Sequence, residues 1–179
     1  MIHIEKQHVI ESYESLDSMA FIKYLTDQYL NALGGQLSAE NMDELTADQH
    51  ALLCYRYILD EVMEGGFIQL IVNGYGPYVL EGPFPYVVKK EWGMKDFSKL
   101  LFEVKKQYNL NKDMLLRDMS EDEFMAMYEE LDDLNMLGDD FLDDHQEEVT
   151  PAVAEMVMNN LEKYTCLWQR KIRNSSKST

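Results

Sequence analysis

The sequence contains little cysteine and no long hydrophobic run. Of its 179 residues, only Cys54 and Cys166 are cysteines, which is too few for the disulfide framework of a small secreted domain. Each lies among apolar residues in a helical pattern, so we expect two buried, reduced thiols. No apolar run approaches the ~20 residues that span a bilayer, and the N-terminus lacks the basic-then-apolar layout of a signal peptide. We therefore expect a cytoplasmic protein that crosses no membrane.

Recognisable catalytic motifs are also missing. The four histidines, which are scattered and show no zinc-ligand spacing, are His3, His8, His50 and His145. No serine occupies a nucleophile elbow. The glycines of segment 74–76 come without the lysine of a phosphate loop or the third glycine of a dinucleotide fingerprint. We predict that the protein is not an enzyme and binds no cofactor, and the alternative is an enzyme whose site has no recognisable motif.

Segment 133–144 begins like the calcium-binding loop of an EF-hand, with Gly138 at the sixth position. However, the fifth and ninth positions, which supply ligands in an EF-hand, are Leu137 and Phe141. The twelfth position is Asp144 instead of the usual glutamate. We therefore predict no metal site in this segment.

Negative charge is abundant, and it is concentrated in one place. The formal net charge is −17, from 33 acidic and 16 basic residues. Residues 118–148, the acidic segment, carry fourteen carboxylates and no lysine or arginine, which leaves a net charge of only −3 for the other 148 residues. An acidic protein is repelled by nucleic acid and by anionic lipid, and it is attracted to basic surfaces. We therefore expect a basic protein as the partner, without direct binding to nucleic acid or membrane.

Part of the acidic segment has a charge spacing close to that of DNA. As a helix, residues 139–148 would rise about 15 Å and carry six carboxylates, or about one per 2.5 Å, against about one per 1.7 Å of duplex DNA. Like charges four residues apart in a helix each cost about 0.2–0.5 kcal/mol. The alternative is a face that is only solvated, although interspersed lysines would give solubility without that cost. The predicted partner-binding residues are Glu129, Asp132, Asp133, Asp139, Asp140, Asp143, Asp144, Glu147 and Glu148.

Helical periodicity dominates the rest of the chain and predicts a compact all-α fold with a single domain over residues 1–179 and a frayed tail at 174–179. Two capping boxes mark helix starts, one at Thr46 with Gln49 and one at Ser120 with Glu123.

Two further helices are predicted from residues that begin or end helices. Ser18 is the predicted cap of an early helix that ends at Gly34-Gly35. Thr150 and Pro151 are the predicted cap and first residue of a long final helix. Its apolar face continues through Trp168 and Ile172.

The centre of the chain is rich in glycine and proline. Gly65-Gly66 interrupts a strong helical pattern, and we expect the apolar run 67–72 that follows to be helical, because a lone strand would have no partner. Residues 73–85 have the composition of turns with short helical pieces between them. We expect the aromatic residues of this region to serve core and loop packing; they are Tyr75, Tyr78, Phe84, Tyr86 and Trp92.

The glycine pair belongs to a longer pattern that resembles the signature of the bacterial DNA-mimic protein family, a family of helical proteins. The pattern is a helix followed by a Gly-Gly-Phe-x-Gln motif and an asparagine; its residues here are Gly65, Gly66, Phe67, Gln69 and Asn73. An Asp-Asp-x-Phe-like element at Asp139-Asp140-Phe141 and a final long helix complete the resemblance, which covers residues 40–170. We expect the glycines to permit a sharp turn or close helix approach, and the amides to satisfy backbone groups at the break.

The resemblance implies an acidic helical protein that occupies the DNA site of a DNA-binding protein, such as a transcription regulator. It leaves open whether the protein is a monomer or a homodimer. Segment 75–91 departs from the family pattern through its prolines and aromatic residues. An immunity-type protein that neutralises a basic toxin is the alternative function, because it would use the same electrostatics.

Overall fold

A computed structural model describes residues 4–165, and nine α-helices and no strand lie in that range. The all-α prediction is confirmed. The helices are α1 (Lys6–Ser15), α2 (Ser18–Ala32), α3 (Ala47–Val72), α4 (Phe84–Lys90), α5 (Lys95–Leu115), α6 (Glu121–Glu130), α7 (Asp132–Asp140), α8 (Gln146–Asn159) and α9 (Leu161–Thr165). A 3-10 turn at Met42–Glu44 and π-helical turns at Pro77–Glu81 and Phe141–His145 connect some of them. None of the helices in the described range is both long and apolar enough to cross a bilayer.

Helix α3 forms the centre of the molecule. Thirteen of its 26 residues are buried, because α2, α4, α5 and α7 pack around it. A helix that is apolar on most sides has to be surrounded in this way. Buried hydrogen bonds join both α2 and α3 to α9: the Tyr29 hydroxyl donates to the Tyr164 carbonyl at 2.7 Å, and the Gln49 side chain donates to the same carbonyl at 3.3 Å.

The predicted helix ends are correct where local chemistry sets them. Both capping boxes are present, at Thr46 and at Ser120. Helix α2 ends at the glycine pair, where Gly35 has a φ of 107° and its N–H donates to the Leu30 carbonyl at 2.8 Å. Its cap lies one residue earlier than predicted, because the Asp17 carboxylate accepts from the Ala20 N–H at 2.8 Å.

The predicted start of the last helix is wrong. Thr150 and Pro151 lie inside α8, which continues from α7 through the π-helical turn at Phe141–His145. The Thr150 side chain is buried and its hydroxyl lies 2.7 Å from the Tyr55 hydroxyl, so it satisfies a core group and caps no helix. The continuous final helix is also a wrong prediction, because Asn160 separates α8 from α9.

Three of the sequence predictions fall outside residues 4–165: the second buried thiol, Cys166, the apolar face through Trp168 and Ile172, and the tail. The first thiol, Cys54, is buried as expected. Helix α1 has no counterpart in the sequence predictions, because its apolar pattern is weak and only Val9 and Ser12 are buried in it.

Candidate partner-binding surface

The acidic segment folds into α6, α7, the second π-helical turn and the first turn of α8. All fourteen of its carboxylate residues are exposed. The buried positions between them are Met127, Leu131, Leu134, Gly138 and Phe141. The segment is therefore amphipathic, with its apolar side against the core and its carboxylates in solvent.

Few cations neutralise these carboxylates. Among the residues described, one ion pair involves the acidic segment, between Arg117 Nη2 and Glu123 Oε1 at 3.4 Å. The pKa of Glu123 is lowered mainly because its carboxylate accepts a hydrogen bond from the backbone N–H of Ser120 at the helix cap. The positive charge of Arg117 lowers it less. Asp133 also accepts from the Gln107 amide of α5 at 3.3 Å, in a solvent-exposed hydrogen bond.

The nine predicted partner-binding residues lie on consecutive helical turns. Glu129 is at the end of α6, and the next four predicted carboxylates are on α7. Asp143 and Asp144 are in the π-helical turn, and Glu147 with Glu148 opens α8. The structure therefore places all nine at exposed positions on three consecutive helices and the π-helical turn between two of them; their contact with a partner stays a prediction.

The glycine pair forms a sharp kink inside α3. Gly65 has φ −149° and ψ 23°, and Gly66 has φ 67° and ψ −170°. The second combination is open essentially to glycine alone, because any Cβ would clash with the backbone. The apolar face continues on both sides, with Val62 before the kink and Phe67 after it completely buried. The predicted interruption and the helical run 67–72 are both confirmed.

The two amides of the signature act differently from the expectation. The Gln69 Nε2 and the Asn73 Nδ2 donate to the same Glu61 carboxylate oxygen, at 3.0 and 2.7 Å. Glu61 precedes the kink and both amides follow it, so the three side chains form a clasp that fixes the angle between the two halves of α3. Sequence reasoning missed Glu61 because it lies outside the motif; its position one helical turn before the glycines was the available signal.

The kink is also where the acidic helices attach. The Tyr128 hydroxyl of α6 donates to the Gly65 carbonyl at 2.8 Å. A Cβ on Gly138 of α7 would lie only 3.2 Å from the Gly66 Cα, so the two backbones touch. Phe67, which follows Gly66, meets the Phe141 ring of the second π-helical turn edge to face at 6.3 Å between centroids. The signature therefore has an architectural role, and what it supports is the acidic segment.

No metal site accompanies this surface. In the part of the chain that the structure describes, no three His, Cys, Asp or Glu side chains are grouped so that they could hold an ion. His145 is half-buried beside the Phe97 ring, at 6.2 Å between centroids. The surface can offer charge to a partner, and its residues suggest no chemistry beyond that.

Comparison with known proteins places these features in a family. The family model described as DMP19-like protein matches residues 43–164. The chain belongs to the DMP19-like protein family. This match confirms the predicted family, and its range includes both the kink and the acidic segment.

One relative of the DMP19-like chain is the protein named DNA mimic protein DMP19, from Neisseria meningitidis serogroup B (strain ATCC BAA-335 / MC58). The two are 33% identical over 98 residues, which make up 55% of this chain and 58% of the relative. The aligned part therefore spans less than two thirds of the length of that DMP19-like relative.

Proposed function

We propose that this member of the DMP19-like family is a DNA mimic, an acidic binding protein that occupies the nucleic-acid-binding surface of a DNA-binding protein. The observation that carries the proposal is the acidic segment, with fourteen exposed carboxylates and no lysine or arginine between residues 118 and 148. The name of the relative from Neisseria meningitidis supports the same function.

The proposed contact is electrostatic. A surface that binds DNA presents lysine and arginine side chains to regularly spaced phosphates. The exposed carboxylates from Glu129 to Glu148 would take the place of those phosphates, as anions that accept charge-assisted hydrogen bonds from the same side chains. Long-range attraction would also speed the encounter of the two proteins.

The rigid kink would contribute by holding the carboxylates in place before the partner arrives. Gly138 against Gly66 and Tyr128 against the Gly65 carbonyl fix α7 and α6 on the central helix. A preformed charged surface loses less conformational entropy on binding than a flexible acidic tail. In this proposal the protein acts by binding and catalyses no reaction. It acts in the cytoplasm, as a regulator of transcription where its partner is a repressor or activator.

A displacement assay tests the mimicry. Dimeric DNA-binding regulators from the same genome are each bound to a fluorescent duplex that carries their own operator, and this protein is added while fluorescence anisotropy is recorded. If a regulator is a true partner, adding this protein should release the labelled duplex, as adding unlabelled operator does. Because the carboxylates would meet the same basic surface as the phosphates, direct binding of the protein to the regulator, measured without DNA, should weaken steeply between about 50 and about 200 mM salt.

Two results would contradict the proposal. One is that no regulator in the panel releases its duplex. The other is a ternary complex, in which the protein binds the regulator while the duplex stays bound. If the protein instead binds and inhibits a basic toxin of the same genome without releasing any operator, the immunity-type function replaces the mimic.

A further inference from the structure

A half-open cavity that the proposed function does not use lies beside the glycine- and proline-rich centre of the chain. Its volume is about 580 Å³, within the range of about 300–1,000 Å³ that is typical of small-molecule sites. It lies between the start of α3, the π-helical turn at Pro77–Glu81 and α4. Most of its lining is apolar, and the main contributors are Met42, Ala47, Ala51, Cys54, Phe84 and Val87.

The two polar side chains of the lining, His50 and Tyr78, already have hydrogen-bond partners. His50 Nδ1 lies 2.6 Å from the Tyr78 hydroxyl, and His50 Nε2 lies 2.9 Å from the Met42 carbonyl. Burial lowers the pKa of His50, which favours the neutral ring. A neutral ring has one donor and one acceptor, and these two contacts use both. The wall therefore presents carbon to the cavity, which favours a hydrophobic ligand.

The cavity contains a thiol that is suited to packing and not to reaction. Cys54 is 3% exposed, and its thiol faces the Tyr78 carbonyl at 3.9 Å. Burial raises the pKa of Cys54 far above its ordinary value. Because only the thiolate is a good nucleophile, the cavity is a place for binding without covalent chemistry.

Two parts of the lining are closely packed against their neighbours. A Cβ on Gly82 would lie 2.9 Å from the Tyr78 carbonyl oxygen, so glycine is needed where the chain leaves the π-helical turn. On the far wall, Phe84 is 2% exposed and packs edge to face against Trp92 at 5.5 Å between centroids. A lining that is closely packed in this way favours a preformed site, which lowers the cost of ordering on binding.

An exposed carboxylate lies next to the lining of the cavity in the sequence. Asp43 is exposed and directly follows the lining residue Met42 in the 3-10 turn, and the Met42 carbonyl lies 2.9 Å from Nε2 of His50, which also lines the cavity. No lysine or arginine is among the lining residues. We propose that this cavity binds a small hydrophobic molecule that carries one cationic amine, with the apolar body inside and the amine near Asp43. The proposal stands independently of the DNA-mimic function.

Three matched probes test it: 2-naphthylmethylamine, 2-naphthylmethanol and 2-naphthoate, which differ in charge and share the apolar body. The readout is the ¹³C-methyl resonance of Met42 in methionine-labelled protein. We expect saturable shifts of that resonance, with the amine bound tightest, the alcohol about two- to fivefold weaker, and the carboxylate weakest. Asp43→Asn should reduce the advantage of the amine over the alcohol, whereas Glu14→Gln, a charge change on α1, should leave it unchanged.

A variant that fills the mouth shows whether binding is in the cavity. Ala47 is exposed at the first residue of α3, so Ala47→Phe should fold normally and weaken the amine and the alcohol at least about tenfold, as expected for an excluded aromatic body. Ala126→Phe, at an exposed position of α6, is the control and should change nothing. The site is refuted if neither neutral nor cationic probe shifts Met42 saturably, or if Ala47→Phe binds as wild type does. Equal affinity for the amine and the alcohol would overturn the cationic part.

Discussion

Helix α5 and the acidic segment that follows it use exposed charge in opposite ways. Both are amphipathic and both pack against α3. In α5, basic residues alternate with acidic ones and pair with them locally, as Lys99 Nζ with Asp96 Oδ1 at 2.6 Å and Lys106 Nζ with Glu103 Oε2 at 3.1 Å. In the acidic segment no lysine or arginine is present, and its carboxylates face solvent.

The difference shows that solubility does not require the acidic segment to be so unbalanced. Helix α5 is equally exposed on its outer face and stays near neutrality through pairs three residues apart. The acidic segment instead retains like-charge neighbours, each of which costs about 0.2–0.5 kcal/mol in a helix. Like-charge repulsion that persists over several helical turns is what we expect of a surface that is used for binding.

The largest effect on stability should come from the kink that supports the acidic helices. Gly66→Ala places a Cβ on a backbone with φ 67° and ψ −170°, so it should lower the free energy of unfolding by about 1–3 kcal/mol. Gly65→Ala should destabilise as well, because the new Cβ would lie 2.8 Å from the Gln69 Cβ and would displace the Gln69 side chain from Glu61. Urea unfolding measures both. If neither alanine variant is less stable than wild type, the kink does not have the role assigned to it.

A smaller and more local effect should follow from Tyr128→Phe. This change removes the hydroxyl that donates to the Gly65 carbonyl, a loss of about 0.5–1.5 kcal/mol. Amide hydrogen exchange should become faster in α6 and stay unchanged in α5. This result would show that the two regions are attached to the core independently. Tyr86→Phe is the control, since Tyr86 is 56% exposed and packs on Phe102 of α5. Equal acceleration in α5 and α6 would contradict the local attachment.

The smallest effects should have opposite signs in the two regions. Glu103→Gln removes an attractive pair with Lys106, so stability should fall by about 0.2–0.5 kcal/mol. Asp143→Asn removes a charge that lies one turn from Asp139 and Glu147, so stability should rise by a similar amount. Urea unfolding at low salt gives both signs, and added salt should shrink both effects. A loss of stability in both variants would remove the contrast between the regions.

The sequence was sufficient wherever short-range chemistry determines structure. The capping boxes at Thr46 and Ser120 depend on residues three apart, and the helix end at Gly34-Gly35 depends on adjacent glycines. The same locality explains the failure at Thr150, whose side chain matches an N-cap pattern but is buried against Tyr55, a residue 95 positions away. Tertiary packing there overrides the local preference.

The sequence predicts which carboxylates form the candidate surface, but it does not predict how the helices that carry them pack. The exposed positions of the nine carboxylates follow from helical periodicity around Leu134 and Phe141. The contact of Gly138 with Gly66 could not be predicted, because Gly138 has no local pattern that indicates a helix crossing. The cavity could not be predicted either. Tyr78 and Phe84 are aromatic residues of the kind that ordinary loop packing uses, and the space beside them exists only because of how α3 and α4 are placed.

The central claim is that the location of the carboxylates matters, beyond their number. Two variants with the same change in net charge separate these effects. One carries Asp139→Asn, Asp140→Asn, Asp143→Asn and Asp144→Asn within the acidic segment. The control neutralises four exposed carboxylates elsewhere; its changes are Glu14→Gln, Glu44→Gln, Glu91→Gln and Asp113→Asn.

The most direct measurement is the affinity of wild type and both variants for the regulator found by displacement, at several salt concentrations. Removing four phosphate-like contacts should weaken binding by about tenfold or more at low salt and flatten the salt dependence, with the larger change in the association rate where rim charges are lost. The control variant should bind within about threefold of wild type, since distant exposed charges are screened beyond about 8 Å. If both folded variants bind equally, the acidic segment contributes only bulk charge and the claim is wrong.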